Sequence, residues 1–190
     1  MESLLRMTDL ELLRRFKHGD EAAFHELVDR YADYLYGVAW SLVGHAADAE
    51  DIVQETFAGA FRGAAGFREA ASIKTWLLRI LMRQCARSRR SAWKRRVFSF
   101  SDRPESSTDG ETAAPDALSA PPQQQVEHRV DVVQMLETLS PEHREVLVLR
   151  ELEGMSYAEI AATLRVPQGT VESRLYRARQ ELRERFKGYL

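Results

Sequence analysis

Proline 167 divides the stretch SYAEIAATLRVPQGTVESRLYRARQELRER (156–185) into two short helices joined by a tight turn. Proline cannot continue a helix, yet it suits the start of one. Before it, Ser156 is placed to cap a helix, with Glu159 at the reciprocal position of a capping box. Ile160, Ala161 and Leu164 form a small apolar face that admits a second helix closely. After the proline, Gly169-Thr170 opens a helix whose Val171, Leu175 and Leu182 turn inward. Ser173, Arg174, Tyr176, Arg177 and Arg179 are left on or near its outer surface. A basic amphipathic helix alone is usually only a solvated face. Cap, small-residue face, Val-Pro turn and polar helix start together point to a helix-turn-helix suited to a DNA major groove.

The same helical spacing runs through the rest of the chain. Phe24, Leu27, Val28, Tyr31, Leu35, Val38, Ala39 and Leu42 fall on one face of a helix that Asp20 can cap. A second helix is expected from about Ala47, with Ile52, Val53, Phe57, Ala60 and Phe61 inward. A loop follows at 63–72, then a long helix from about Ile73, with Trp76, Leu77, Ile80 and Leu81 toward the core. Arg79, Arg83, Arg87 and Arg90 recur on another face of that helix. In the last third, Val130, Val133 and Leu136 mark a short helix. Ser140-Pro141-Glu142 starts another, running through Val146, Leu147 and Leu149 to about Gly154. No strand alternation is present, so the fold class is all-α: two small helical domains, the second bearing the helix-turn-helix.

Between the helical blocks, Ser101 to Gln125 holds most of the prolines and almost no large apolar residue. Such a stretch cannot bury a core and is expected to be a flexible linker. Its five acids, Asp102, Glu105, Asp109, Glu111 and Asp116, face only Arg103. It reads as a tether, or as an acidic strand that fills a basic channel when nucleic acid is absent. The expected boundaries are a first domain at 1–98, the linker at 99–125 and a second domain at 126–190.

The formal net charge is -2, so a nucleic-acid-binding chain of this kind must segregate its charge. It does: from Arg62 to Arg96 there are eleven Lys/Arg and one acid, Glu69, whereas acids dominate from Asp20 to Glu55. The single cysteine, Cys85, excludes an intramolecular disulfide and lies on the apolar side of its helix. The five histidines are scattered without metal-ligand spacing, and no phosphate-binding glycine loop occurs. The pattern therefore offers neither a metal nor a cofactor site and no catalytic constellation. No apolar run approaches a membrane span and the N-terminus has no h-region, so membrane insertion is not expected and a reducing cytoplasm is the expected compartment.

Four segments in order carry a family resemblance: GDEAAFHELVDRY, DAEDIVQETFAGAFR, GFREAASIKTWLLRI and LSPEHREVLVLRELEGMSYAEIAATLRVPQGTVESRLYRAR. The chain resembles the extracytoplasmic-function (ECF) sigma factors, promoter-recognition subunits of bacterial RNA polymerase, over nearly its whole length. The resemblance implies a non-catalytic subunit that binds core RNA polymerase, directs it to promoters and starts melting. It implies that the acidic helix bearing Asp48, Glu50, Asp51, Gln54 and Glu55 docks on the polymerase's largest subunit, where such a patch would steer association. It implies that Phe67, Arg68, Ser72, Ile73 and Trp76 form the pocket that holds an unstacked minus-ten base, although Trp76 has core spacing too. Arg79, Arg83 and Arg87 would hold phosphates of the melted non-template strand.

The helix-turn-helix would read the duplex minus-thirty-five element. Thr170, Glu172, Ser173, Tyr176 and Arg177 would face the groove, and Arg177 fits guanine O6 and N7. Arg165, Arg174 and Arg179 would meet phosphates. Glu172 stands where relatives often carry a basic residue, and Arg83 where they often have Asn. Both departures bear on base preference. Arg165 replaces a glycine common in the turn. An anti-sigma factor is the implied regulator, clamped between the two domains. A helix-turn-helix repressor or activator with an N-terminal sensor explains the second block equally well, but has no need of the basic, aromatic-bearing segment in the first.

Overall fold

The computed structural model describes residues 7–69, 71–99 and 132–187, with side chains of the long basic helix described through Ser91. Of the expected linker at 99–125, only Ser99 is described, as the last residue of the long basic helix; the rest, the start of the second domain before 132, and Val130 lie outside the described residues. Among the described residues there is no strand, and the all-α expectation holds.

Helix α1 (Asp9–Lys17) starts at a capping box: Thr8 caps the Glu11 N–H, and the Glu11 carboxylate accepts from the Thr8 N–H at 2.7 Å. Helix α2 (Glu21–Val43) starts at Asp20 and ends at Gly44, whose φ of 77° is open to glycine at little steric cost. Helix α3 (Ala46–Gly63) runs into a 3-10 turn at Ala64–Gly66. Ser72 Oγ then accepts from the Thr75 N–H at 3.1 Å as helix α4 (Ile73–Ser99) begins. Leu12, Leu13, Leu35, Leu78 and Leu81 are fully buried where these four helices meet. Phe61, expected inward, is instead 47% exposed at the rim, with its ring against Phe16 and Phe24.

The second block opens with a helical segment at 132–137, followed by helix α5 (Pro141–Leu147) with Ser140 as cap and proline at its start. The expected uninterrupted helix to Gly154 is not formed. A π turn at Val148–Leu152 widens it, and the Glu153 N–H donates to the Val148 carbonyl at 3.1 Å. Helices α6 (Tyr157–Leu164) and α7 (Gln168–Arg185) complete the chain. Val146, Leu149, Ile160, Val171 and Leu175 are buried between α5, α6 and α7.

The two blocks share a polar seam. Glu145 on α5 is 7% exposed and lies 2.5 Å from Arg89 on α4. Burial pushes its carboxyl above the ordinary range, and the Arg89 guanidinium opposes that shift. Arg144 donates to the Leu42 carbonyl at the end of α2 at 2.8 Å. Glu153, just past the π turn, accepts from the Tyr34 hydroxyl and pairs with Lys74 at 3.1 Å. Burial, then the Glu153 contact, raises the Tyr34 phenol well above its usual value.

Breaking the Arg89–Glu145 pair from one side leaves a buried carboxylate without a partner, whereas replacing both by apolar groups does not. Arg89→Met is therefore expected to cost about 1–3 kcal/mol in urea unfolding, with most of it regained in Arg89→Met/Glu145→Leu. Equal losses in the single and double variants would rule the pair out as the source. Cys85 is buried, and burial pushes its thiol up to about 12. A thiol reagent at mildly alkaline pH should leave the native protein unlabelled and label it once unfolded. Rapid labelling of the folded chain would show an accessible thiolate.

Candidate nucleic-acid interface

The α6–α7 hairpin is built as its sequence dictates. Ser156 and Glu159 form a full capping box, with the Glu159 carboxylate accepting from the Ser156 N–H at 2.8 Å and from its hydroxyl at 2.7 Å. These bonds hold the Glu159 carboxyl below the usual carboxylate range. Helix α6 ends on Arg165 in the left-handed region (φ 57°), where a glycine would sit without strain. The Val166 N–H closes the turn onto the Ala161 carbonyl at 3.1 Å, and Pro167 precedes α7.

On α7 the inward residues are Val171, Leu175 and Ala178. Glu172, Ser173, Tyr176, Arg177 and Arg179 are exposed, and Thr170 and Arg174 are half-buried. Tyr176 leaves 66% of its surface open, a large aromatic side chain on a polar face. Gln168 Nε2 donates to Glu172 at 3.3 Å, and the Ser173 hydroxyl donates back to the Thr170 carbonyl at 3.0 Å. Arg174 is paired with Glu142 at 2.7 Å and Arg179 with Glu151 at 2.6 Å. Arg165 and Arg177 make no hydrogen bond or ion pair among the described residues. Nothing in the local pattern announces Glu142 and Glu151 as partners, because they lie on α5 and the π turn, far back in the chain.

The loop before α4 is less open than its composition suggests. Phe67 is only 7% exposed, its ring 5.1 Å from that of Trp76, and Ile73 is buried. Trp76 is half-buried, so its ring serves both the core and the rim. Arg68 and Ser72 are exposed. Along α4, Arg83 and Arg87 are exposed, with Arg83 Nε donating to the Arg79 carbonyl at 3.1 Å. Arg79 is half-buried on the side of α6, and its Nε is buried with no hydrogen-bond partner. Lys74 and Arg89, basic residues of the same helix, are engaged by glutamates of the second block.

Helix α3 turns Ala49, Ile52, Thr56 and Ala60 into the core. Asp48, Glu50, Asp51, Gln54 and Glu55 are all exposed on its other side. Asp48, Asp51 and Glu55 line a groove that Gln84 and Arg87 of α4 close opposite them. Acidic and basic surfaces thus meet along one edge of the first block, and the helix-turn-helix carries a second cationic surface.

Comparison with known proteins identifies the arrangement. Residues 27–95 match the sigma-70 region 2 family and residues 129–182 match sigma-70 region 4. The chain is 33% identical over 183 residues to the RNA polymerase sigma-H factor of Pseudomonas aeruginosa, covering 94% of each. It is 34% identical over 179 residues to the ECF RNA polymerase sigma-E factor of Escherichia coli K12, covering 93% of each. Among solved structures it is similar to CnrH in complex with the cytosolic domain of CnrY, with 26% identity, a TM-score of 0.63, and 94% of this chain and 97% of that one covered. It is also similar to the sigma factor RpoE in complex with the anti-sigma factor NepR from Bartonella quintana, with 28% identity, a TM-score of 0.65, and 87% and 97% covered. Two sigma-70 regions in this order, and relatives matched over almost their full length, place the chain in the family of ECF RNA polymerase sigma factors.

Proposed function

We propose that the chain acts without catalysis of its own, in the bacterial cytoplasm, as a specificity subunit whose three exposed surfaces divide the work. The observation that carries this reading is their coexistence in one chain: the acidic face of α3, the arginines of α4 and the outward face of α7. The first domain (1–98) docks on core polymerase through Asp48, Glu50, Asp51, Gln54 and Glu55 and handles the minus-ten element. Phe67, Ile73 and Trp76 form the apolar wall of the base pocket, and Arg68 and Ser72 are its polar rim. Arg79, Arg83 and Arg87 take the phosphates of the melted non-template strand, supplying affinity without sequence information. The linker (99–125) tethers the second domain (126–190), which reads the minus-thirty-five element.

On that element Thr170, Glu172, Ser173, Tyr176 and Arg177 face base edges, and Arg165, Arg174 and Arg179 face phosphates. The free guanidinium of Arg177 supports its place at a guanine. An anti-sigma factor is the expected regulator. An apolar groove along the seam, lined by Tyr34, Gly37, Trp40, Val132 and Leu152, suits a helix of such a partner.

Run-off transcription with purified core polymerase on a genomic promoter library tests the whole reading. Start-site-specific transcripts that need both core and this protein are expected. Tight duplex binding by the protein alone, with no stimulation of core, would instead support a repressor. On a responsive promoter, Arg177→Ala should lose about 1–3 kcal/mol of discrimination at one or two minus-thirty-five positions. A uniform loss across promoter variants would place Arg177 on the backbone.

A further inference from the structure

Helix α1 reaches the loop after α3 at two points. Arg14 and Lys17 are three residues apart and so share one face of the helix. The Arg14 fork grips the Glu69 carboxylate, with Nε at 2.9 Å and Nη2 at 2.7 Å. Lys17 Nζ donates to the Phe67 carbonyl at 3.1 Å, and its ammonium lies 5.7 Å from the centre of the Phe67 ring. That ring rests in turn on Trp76. Lys17, Phe67 and Trp76 therefore form a stack from α1 through the loop to α4.

The inner face of α1, the base of this clamp, is packed into the core. Leu12 and Leu13 are fully buried, and Phe16 packs against Phe24 at 4.7 Å between ring centres and against Phe61 at 4.8 Å. The charge arrangement adds a second reason for the contact. Glu69 is the one acid between Arg62 and Arg96, and an unpaired carboxylate there would repel a DNA strand drawn along α4. Arg14 neutralises it.

We infer that Arg14 and Lys17 are positioning residues for promoter melting: α1 holds residues 67–69 in the shape that receives the unstacked minus-ten base and cancels the charge of Glu69. The inference rests on the proposal that this loop forms the base pocket. Neither residue belongs to the surfaces assigned above to core or DNA.

The test uses holoenzyme assembled from core polymerase and full-length protein, on a promoter that the wild type transcribes. It compares Arg14→Glu, Lys17→Met, the exchange Arg14→Glu/Glu69→Arg, and Phe67→Leu, which removes the ring but keeps the core filled. The readouts are core affinity, unfolding midpoint, run-off yield, and the yield ratio among base substitutions in the minus-ten element. Arg14→Glu and Lys17→Met should each lower yield from duplex templates by about two- to fivefold, the range of one well-aligned exposed ion pair for Arg14 and of one hydrogen bond for Lys17. They should flatten the base ratios while core affinity stays at the wild-type value and the unfolding midpoint falls by no more than about a few degrees. The exchange should restore both yield and ratios.

If Phe67→Leu flattens the ratios but Arg14→Glu and Lys17→Met do not, the clamp is overturned and the pocket reading stands. If Phe67→Leu leaves the ratios intact, the pocket reading itself fails, and the clamp with it. Failure of the exchange to restore an impaired Arg14→Glu would show that Glu69 is not the partner through which Arg14 acts.

Discussion

Helix α2 has to satisfy two sets of neighbours at once, and the rest of the molecule is arranged around that requirement. Ala23, Phe24, Leu27, Leu35, Val38, Ala39 and Leu42 are buried along its 23 residues. It packs against α1, α3 and α4, and also against α5 and the π turn of the second block. A helix this long presents its apolar stripe over more than one domain's width. Its C-terminal end is where the seam forms: the Leu42 carbonyl, with no partner further along the helix, is taken by Arg144. Tyr34, midway, delivers its hydroxyl to Glu153.

Charge is distributed by the same logic. A chain with nearly balanced acids and bases presents distinct surfaces only if each helix sorts its charges to one side. Helix α3 places carboxylates outward opposite Ala49, Ile52 and Ala60, and α7 places arginines outward opposite Val171, Leu175 and Ala178. Some of the cations are already answered from within the chain. Arg174 and Arg179 are oriented by Glu142 and Glu151, which leaves Arg177 as the unengaged cation at the middle of the α7 face. A phosphate approaching Arg174 or Arg179 competes with a carboxylate, and one approaching Arg177 does not.

Much of this was legible before any coordinates. Helix positions follow from apolar spacing and from local caps, and all three capping signals, Asp20, Ser140 with Pro141 and Ser156 with Glu159, are realised. Those devices act within a few residues, so a linear reading reaches them. It does not reach the π turn, because Val148 to Leu152 has ordinary helical composition and nothing local marks the widening; the turn lies against α2 and α6. Nor does it reach Phe61, whose apolar spacing matches Phe57 but whose position at the end of α3 leaves the ring at the rim. The seam pairs and the grip of α1 on the loop join residues tens of positions apart. Residue type alone does not pair Arg89 with Glu145 or Arg14 with Glu69, and only the fold shows that Glu145 is buried.

The seam between the blocks also sets a thermodynamic threshold. A partner that binds only when the blocks are apart sees its affinity reduced by the fraction of molecules already open. Each ~1.4 kcal/mol stored in the Arg89, Lys74, Tyr34 and Arg144 contacts then weakens the apparent affinity of that partner about tenfold. A partner that bridges both blocks as they stand meets no such penalty. One set of polar contacts between the blocks can therefore rank competing partners by the geometry each demands, without touching either of them.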